Sequence, residues 1–410
     1  MEEGSTIKTD DKRRRLGRTV IVLGAVSFFT DAASEMIYPI LPLFITSILG
    51  AGPAFLGIIE GIAEGTASLL KGFSGFISDK LRKRKALILA GYGLSAITRP
   101  FFIFAQNVWE VVFIRFFDRV GKGIRTSPRD ALIAESTDQV IWGKAYGFHR
   151  ALDTLGAVVG PTLGLLVFWI LGNHGRSSYN TLFLIASIPG FIAVILILAL
   201  LKEKKVSSST GIQPLKFSGF TKGFKMLLVV VIVFTLGNSS DTFLLLKASR
   251  AFSSAGIKSS TIPIFIFLLW LTFNIVYTSI SMPGGILSDR LGRKKTLLLG
   301  FLIYCGVYVG FGFSKSILWL WLLMATYGVF YGLTEGVMKA YVADLAPREM
   351  KGTAFGLYHM TDGISKLLAS VIFGIVWQLV NAKAAFLMGA ALAAIASILL
   401  WFFCEECARD

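Results

Sequence analysis

The sequence predicts an all-α membrane protein: twelve transmembrane helices in two pseudo-symmetric halves of six. Three observations carry that expectation. The chain is 54% hydrophobic and 16% charged, against the ~25% charged residues usual in soluble domains. Its polar and Gly/Pro joints divide it into twelve apolar stretches, each near the ~20 residues that cross a bilayer core as a helix. The segment SDKLRKRKALILAGY from Ser78 returns as SDRLGRKKTLLLGF from Ser288, which sets Asp79 and Asp289 210 positions apart in a chain of 410.

The elements follow in order. Residues 1–18 are polar and basic, with Lys12, Arg13, Arg14, Arg15 and Arg18. The apolar stretch after them runs past Leu41 with no small-residue cleavage pattern, so it reads as a first spanning helix, 19–49, and not as a cleaved signal. The joint GAGP at 50–53 starts the second, 54–78. The basic run Lys80 to Lys85 separates it from the third, 86–106. The fourth, 109–136, carries DRVGKGIRTSPRDALIAE and is unusually charged, with Arg119, Lys122, Arg125 and Arg129 against Asp118 and Asp130. The fifth and sixth are 143–172 and 178–201. A Ser/Gly/Lys-rich linker, 202–222, falls midway. Six further spans follow at 223–252, 259–288, 296–313, 316–345, 352–380 and 383–404. The expected organisation is a basic N-terminus (1–18), a first half (19–201), the linker, a second half (223–404) and a tail (405–410).

Charge placement orients the chain. The N-terminus, the loop between the second and third helices, the linker (Lys202, Lys204, Lys205, Lys216, Lys222) and the loop between the eighth and ninth (Arg290, Arg293, Lys294, Lys295) are basic, and with twelve helices all four fall on one side. The positive-inside rule makes that side, and both termini, cytoplasmic. The net charge of +16 therefore reads as membrane orientation and not as nucleic-acid binding. The three cysteines exclude a disulfide framework. Cys305 sits in an apolar run, and Cys404 with Cys407 forms a lone C-x-x-C, too few ligands for a zinc site of about four.

The repeat extends beyond the opening segment. Asp31 precedes Asp79 by the interval at which Asp241 precedes Asp289. Later the offset changes by one, and AYGFHRALD at 145–153 aligns with AFGLYHMTD at 354–362, pairing Asp153 with Asp362 and Glu135 with Asp344. Two halves of like topology place a substrate site near the midplane between them.

With these segments the chain resembles the major facilitator superfamily. The loop signature of that family, G-x-x-x-D-R/K-x-G-R-K/R, stands here as GILSDRLGRKK from Gly285; the first copy, GFISDKLRKRK from Gly75, has Arg82 where the family has glycine. GAVVGPTLG from Gly156 in the fifth helix, with Gly160, Pro161 and Gly164, resembles the antiporter signature G-x-x-x-G-P-x-x-G-G, with Leu165 in place of the final glycine. Arg115 sits about where antiporters of the family carry a helix-4 arginine, although RFFDRVGKG departs from their R-x-x-Q-G. The resemblance implies the superfamily fold and a secondary transporter working by alternating access. It also implies a cytoplasmic gate built from Asp79, Lys83 and Glu135, mirrored by Asp289, Arg293 and Asp344, that latches the halves near the start of the eleventh helix. The alternative is that these charges only obey the positive-inside rule.

Ionisable groups deep in spanning helices are costly and mark function. Asp31 lies about 18 Å along the first helix, with Glu35 one turn on; Glu64 lies about 15 Å into the second, with Glu60 a turn above. Two readings are open for these acids and for Asp241. One is a coupling-proton carrier in a central cavity. The other is a fixed ion pair with Arg115, Arg125, Arg150 or Lys339. Glu335, Asp153 and Asp362 belong to the same candidate set. The cations of the fourth helix, which also carries Asp118, either bind an anionic substrate or neutralise these acids. His149 with Asp153 and His359 with Asp362 have the spacing of a metal pair on one helix face, or of a hydrogen-bonded pair or proton relay. Gly156, Gly160 and Gly164 share one face, suited to close helix packing, with Pro161 expected to bend the helix.

No GxxxxGK[ST] segment exists, so ATP is not the expected driver. The leading expectation is proton-coupled efflux of a small organic molecule by a monomer in the bilayer, with no cofactor and no metal. The runner-up is import of an organic anion or metal chelate. A membrane-embedded enzyme, with His149 as base, and a non-transporting sensor are the readings from other classes.

Overall fold

The computed structural model describes residues 16–81, 83–137, 142–172, 175–202, 219–346 and 351–404. Most of the basic N-terminus, the linker over 203–218, the tail with Cys407, and the side chains of Asp79 and Lys80 lie outside the described residues, as does Arg82.

Among the described residues, twelve helical elements of membrane length alternate in direction: α1 (Arg18–Ile48), α2 (Pro53–Leu81), α3 (Arg84–Ile103), α4 (Val108–Glu135), α5 (Trp142–Leu171), α6 (Arg176–Leu200), α7 (Lys222–Ser254), α8 (Ile262–Leu291), α9 (Arg293–Phe313), α10 (Ile317–Leu345), α11 (Lys351–Leu379) and α12 (Ala382–Phe403). Eleven are apolar enough to cross a bilayer by composition. The twelfth, α4, is continuous over 28 residues and packs between α2 and α3, which shield its charged face. The α2–α3 and α8–α9 connections share one end of the bundle, called here the basic end.

Three elements depart from plain helices. Pro39 and Pro42 remove backbone donors in α1, and its last turns over Tyr38–Ile48 tighten and widen into short 3₁₀ and π segments. Arg99–Ile103 closes α3 as a 3₁₀ turn at Pro100. The expected unbroken seventh helix is in fact two, Lys222–Gly237 and Thr242–Ser254, interrupted at Asn238–Asp241. Glycine, asparagine and two serines in succession favour local hydrogen bonds over helix continuation.

The halves meet along two seams. In the first, α2 lies against α11 at backbone distance: a Cβ on Gly61 would stand 2.7 Å from the carbonyl oxygen of Leu367, and one on Gly374 2.6 Å from that of Pro53. In the second, α5 lies on α8, where Phe168 and Phe267 meet at 6.0 Å. The end opposite the basic end is closed: Ile40, Leu41, Phe44 and Ile45 of α1 are fully buried, as are Phe243, Leu244 and Leu245 in the outer part of α7, and these stretches pack together.

The basic end corrects the expected gate. Arg84 donates through Nε and Nη2 to Glu135 at 2.6–2.9 Å and through Nη1 to Ser78 Oγ at 2.8 Å. Arg293 repeats this, donating to Asp289 at 2.6 Å, Ser288 Oγ at 2.5 Å and Asp344 at 3.3 Å. The basic partner in the first half is thus Arg84, and Lys83 is exposed. The cause is loop length. Gly292, with φ +101°, turns the chain in one residue, a conformation costly for any side chain. The first copy lacks that glycine and is one residue longer, with α2 ending at Leu81 and α3 starting at Arg84, and this is where the repeat offset falls from 210 to 209. These contacts brace the helices within each half. The expected latch between halves is absent from the described contacts.

A charged central cavity between the halves

Midway along the bundle a cavity of ≈ 230 Å³ opens between the halves. It draws on α1, α2, α3, α4, the break in α7, and α8. Of the residues expected from sequence, Asp31, Glu35, Glu64, Arg115, Asp118, Arg125 and Asp241 line it. They share the wall with Ser34, Tyr38, Arg99, Arg119, Lys122 and Trp270.

Glycines bring the acids together. A Cβ on Gly156 of α5 would lie 2.6 Å from the carbonyl oxygen of Phe28 and 3.1 Å from Asp31 Cβ, and one on Gly160 would lie 2.8 Å from Glu35 Cβ. The smallest residues of α5 thus press on the turns of α1 that carry Asp31 and Glu35. That approach sets the carboxyl groups of Asp31 and Asp153 within hydrogen-bonding reach of each other. Asp153 also accepts from Ser27 Oγ at 2.7 Å and pairs with Arg150 at 3.1 Å. Two carboxyls can share a hydrogen bond only if one is protonated. Helix α5 runs unbroken through Pro161.

Other acids have fixed cations. Glu60, 1% exposed, accepts from Arg115 at 2.8 and 3.0 Å. Arg119 lies 3.5 Å from Glu64 and 3.7 Å from Asp118. Both arginines keep a buried Nε without a hydrogen-bond partner. Arg125, expected as a partner for an acid, has none among the described contacts; it donates to Ser95 Oγ at 2.6 Å and stacks 4.4 Å over the Tyr92 ring.

Several polar contacts cross between halves. Trp270 Nε1 donates to Glu35 at 2.7 Å, and Ser240 Oγ donates to Glu60 at 3.3 Å. Nearer the basic end Arg150 donates to Tyr277 at 2.7 Å and lies 3.5 Å from Glu335, which also holds Lys339 at 3.1 Å. Tyr277 donates in turn to Glu335. Arg150 and Lys339 remain about half exposed here, whereas the opposite end is closed by the apolar contact of α1 with α7.

The two halves are not chemically symmetric. Asp241 does not pair with Asp362 as Asp31 does with Asp153. The break in α7 turns Asp241 toward α10, where it accepts from Tyr327 at 2.7 Å and Tyr331 at 3.3 Å. Asp362 instead accepts from Thr235 Oγ1 at 3.2 Å and pairs with Lys366 at 2.8 Å. Rings run from the cavity down α8: Tyr38 to Trp270 at 5.1 Å, Trp270 to Phe273 at 4.7 Å, Phe273 to Tyr277 at 5.9 Å. None of the described hydrogen bonds joins His149 to Asp153, and the buried Nε2 of His149 has no partner.

Sequence reasoning passed over Arg99, Lys71, Lys366, Trp270 and the tyrosines. The three cations did carry a signal, each being a charge inside an apolar stretch. The aromatics carried none, because in an apolar helix a ring facing a cavity looks like one facing lipid. Arg99 is 3% exposed and donates to Ser34 Oγ at 2.8 Å and the Thr30 carbonyl at 3.2 Å.

Comparison with known proteins agrees with this architecture. The family model for the Major Facilitator Superfamily matches residues 23–276 and 226–408. An uncharacterized MFS-type transporter of Methanocaldococcus jannaschii, MJ1317, is 38% identical, over 96% of this chain and 97% of that one. The quinolone resistance protein NorA of Staphylococcus aureus is 22% identical, over 71% of this chain and 79% of its own. Among solved structures, a variant of the nucleoside transporter NupG superposes with a TM-score of 0.78 at 13% identity, covering 94% of this chain and all of that one. Two overlapping matches of one family model, together spanning nearly all of a twelve-helix bundle with a charged cavity between its halves, place the chain in the major facilitator superfamily, a family of membrane transporters and not of enzymes.

Proposed function

We propose that the protein is a proton-coupled secondary transporter that exports a small organic solute by alternating access, with Asp31 and Asp153 as the proton site. The observation that carries this reading is the carboxyl pair itself. Two acids from different helices of the first half face each other at mid-membrane depth, held there by the glycines of α5, and such a pair takes up or releases one proton as its access to water changes while the halves rock. Glu60 and Glu64, braced by arginines, serve as fixed charges.

The glycine motif that resembles the antiporter signature is the same one that presses α5 onto Asp31 and Glu35. It is in the right place to keep the helices sealed while the acid titrates. That contact and the likeness to NorA support export over import. The basic end is the cytoplasmic one under the positive-inside rule, so the apolar closure lies on the outer side in this state. Its ≈ 230 Å³ lies below the ~300–1,000 Å³ of drug-sized pockets, which favours a small metabolite over a bulky drug.

The test is proton movement in sealed proteoliposomes. A panel of small solutes is added and internal pH is followed with a trapped dye. A solute-dependent pH change that vanishes in Asp31→Asn supports the proposal. Solute flux with no accompanying proton movement contradicts it.

A further inference from the structure

Glu64 is crowded by cations. Arg119 lies 3.5 Å from it, and Lys71, Lys122 and Lys366 are close enough to interact with it electrostatically. They come from three helices: Lys71 from α2, Arg119 and Lys122 from α4, and Lys366 from α11 in the other half. Measured from the basic end at ~1.5 Å per residue, the three lysines lie at depths of about 15, 20 and 22 Å. They therefore lie within about 7 Å of depth of one another, a group called here the lysine ring.

The charges do not cancel. Arg119 is shared between Glu64 and Asp118, and Lys366 pairs with Asp362 at 2.8 Å. The ammonium groups of Lys71 and Lys122 make none of the described hydrogen bonds or ion pairs, and Lys122 is among the charges near Lys71. Two unpaired like charges side by side in a membrane are costly, and a fold keeps such an arrangement where something else completes it. Lys122 lines the central cavity together with Tyr38 and Trp270.

Resting on the transport reading above, we propose that Lys71, Lys122 and Lys366 hold the carboxylate or phosphate of the transported solute, while its planar body lies toward Tyr38 and Trp270. A mobile anion in this ring removes the repulsion between Lys71 and Lys122. Because Lys366 stands on the opposite half, the anion also draws the halves together over the bound solute. The solute is then an amphipathic organic anion, small enough for the cavity.

The experiment uses purified full-length protein and four matched probes: benzoate, phenyl phosphate, benzylammonium and benzyl alcohol. Binding is read by saturable shifts in melting temperature, and movement by solute-driven pH change in proteoliposomes. Benzoate or phenyl phosphate is expected to bind, and benzylammonium is not. Lys122→Gln and Lys71→Gln should each weaken anion binding roughly 10- to 100-fold, the loss of one charge-assisted contact. Without probe, their melting temperatures should be unchanged or raised, since an unpaired cation has gone. A fall in the ligand-free melting temperature would instead mark these lysines as structural and overturn the proposal. So would benzylammonium binding as tightly as the anions, undiminished anion binding by both variants, or no binding by either anion. The two readings fail separately. Anions that bind but move no protons would leave the anion ring standing and sink proton coupling. Benzylammonium driving proton flux would do the reverse.

Discussion

At the residue scale the fold sorts its buried acids by what faces them. Glu60 faces Arg115 and is almost without solvent. Removing its charge strands the guanidinium, and breaking such a buried pair costs about 3–5 kcal/mol. Glu60→Gln should therefore melt well below wild type. Asp31 faces another carboxyl group, and its neutral isostere keeps the hydrogen bond. Asp31→Asn should melt near wild type yet no longer use a pH gradient. Thermal melting and pH-driven flux on one preparation check both statements; equal melting of the two variants would mean that the sorting is wrong. At the basic end the same logic separates neighbours. Arg84→Ala removes the contacts to Glu135 and Ser78 and should lower stability and transport, whereas Lys83→Ala, at an exposed position, should change melting by no more than ~0.5 kcal/mol. The sequence alone points to Lys83, because an extra loop residue shifts the register and repeat alignment cannot say on which side of the insertion the functional arginine falls.

At the scale of elements, what was legible was what obeys a period or a composition. Twelve spans, the repeat and the charged α4 follow from apolar run length and from charge placement. The break in α7 was less legible. GNSSD reads as a tolerable polar patch, and only its contacts with Tyr327, Tyr331 and Glu60 show it as the place where the second half turns its acid away from the symmetric position. The acids could be named from depth alone. Their partners could not, since a pairing depends on helix rotation and rotation depends on the seams. Those seams make a prediction of their own. Gly160→Val puts methyl groups against Glu35 and the backbone of Ala32. Overpacking of this kind costs about 1–3 kcal/mol and should separate α5 from α1. The expected result is a protein that still inserts, with solute flux retained and proton coupling weakened. Flux assays with and without an imposed pH gradient distinguish that outcome from a general loss of activity.

At the scale of the molecule, the two halves close by apolar packing at one end and meet through half-exposed charged contacts toward the other. The closed end is a wide apolar contact between the outer parts of α1 and α7, and the other end has exposed charges on α5 and α10. A rigid-body exchange of these roles is the simplest motion available to two six-helix units joined by two seams. The inter-half bonds of Trp270 to Glu35 and Ser240 to Glu60 must break as the far end opens, and carboxylate charge at Glu35 strengthens the first of them. The central claim is that the halves rock about the cavity and that protonation at Asp31 biases the motion. Paired spin labels measure this directly without knowledge of the solute. One pair replaces Lys83 and Leu291 at the basic end, and the other replaces Phe104 and Phe313 at the far end, all four exposed positions. As pH is changed in lipid nanodiscs, the account predicts that one distance lengthens while the other shortens, and that Asp31→Asn abolishes the pH response while leaving both states accessible. Distances that stay fixed, that change in the same direction, or that respond to pH equally in Asp31→Asn would contradict it.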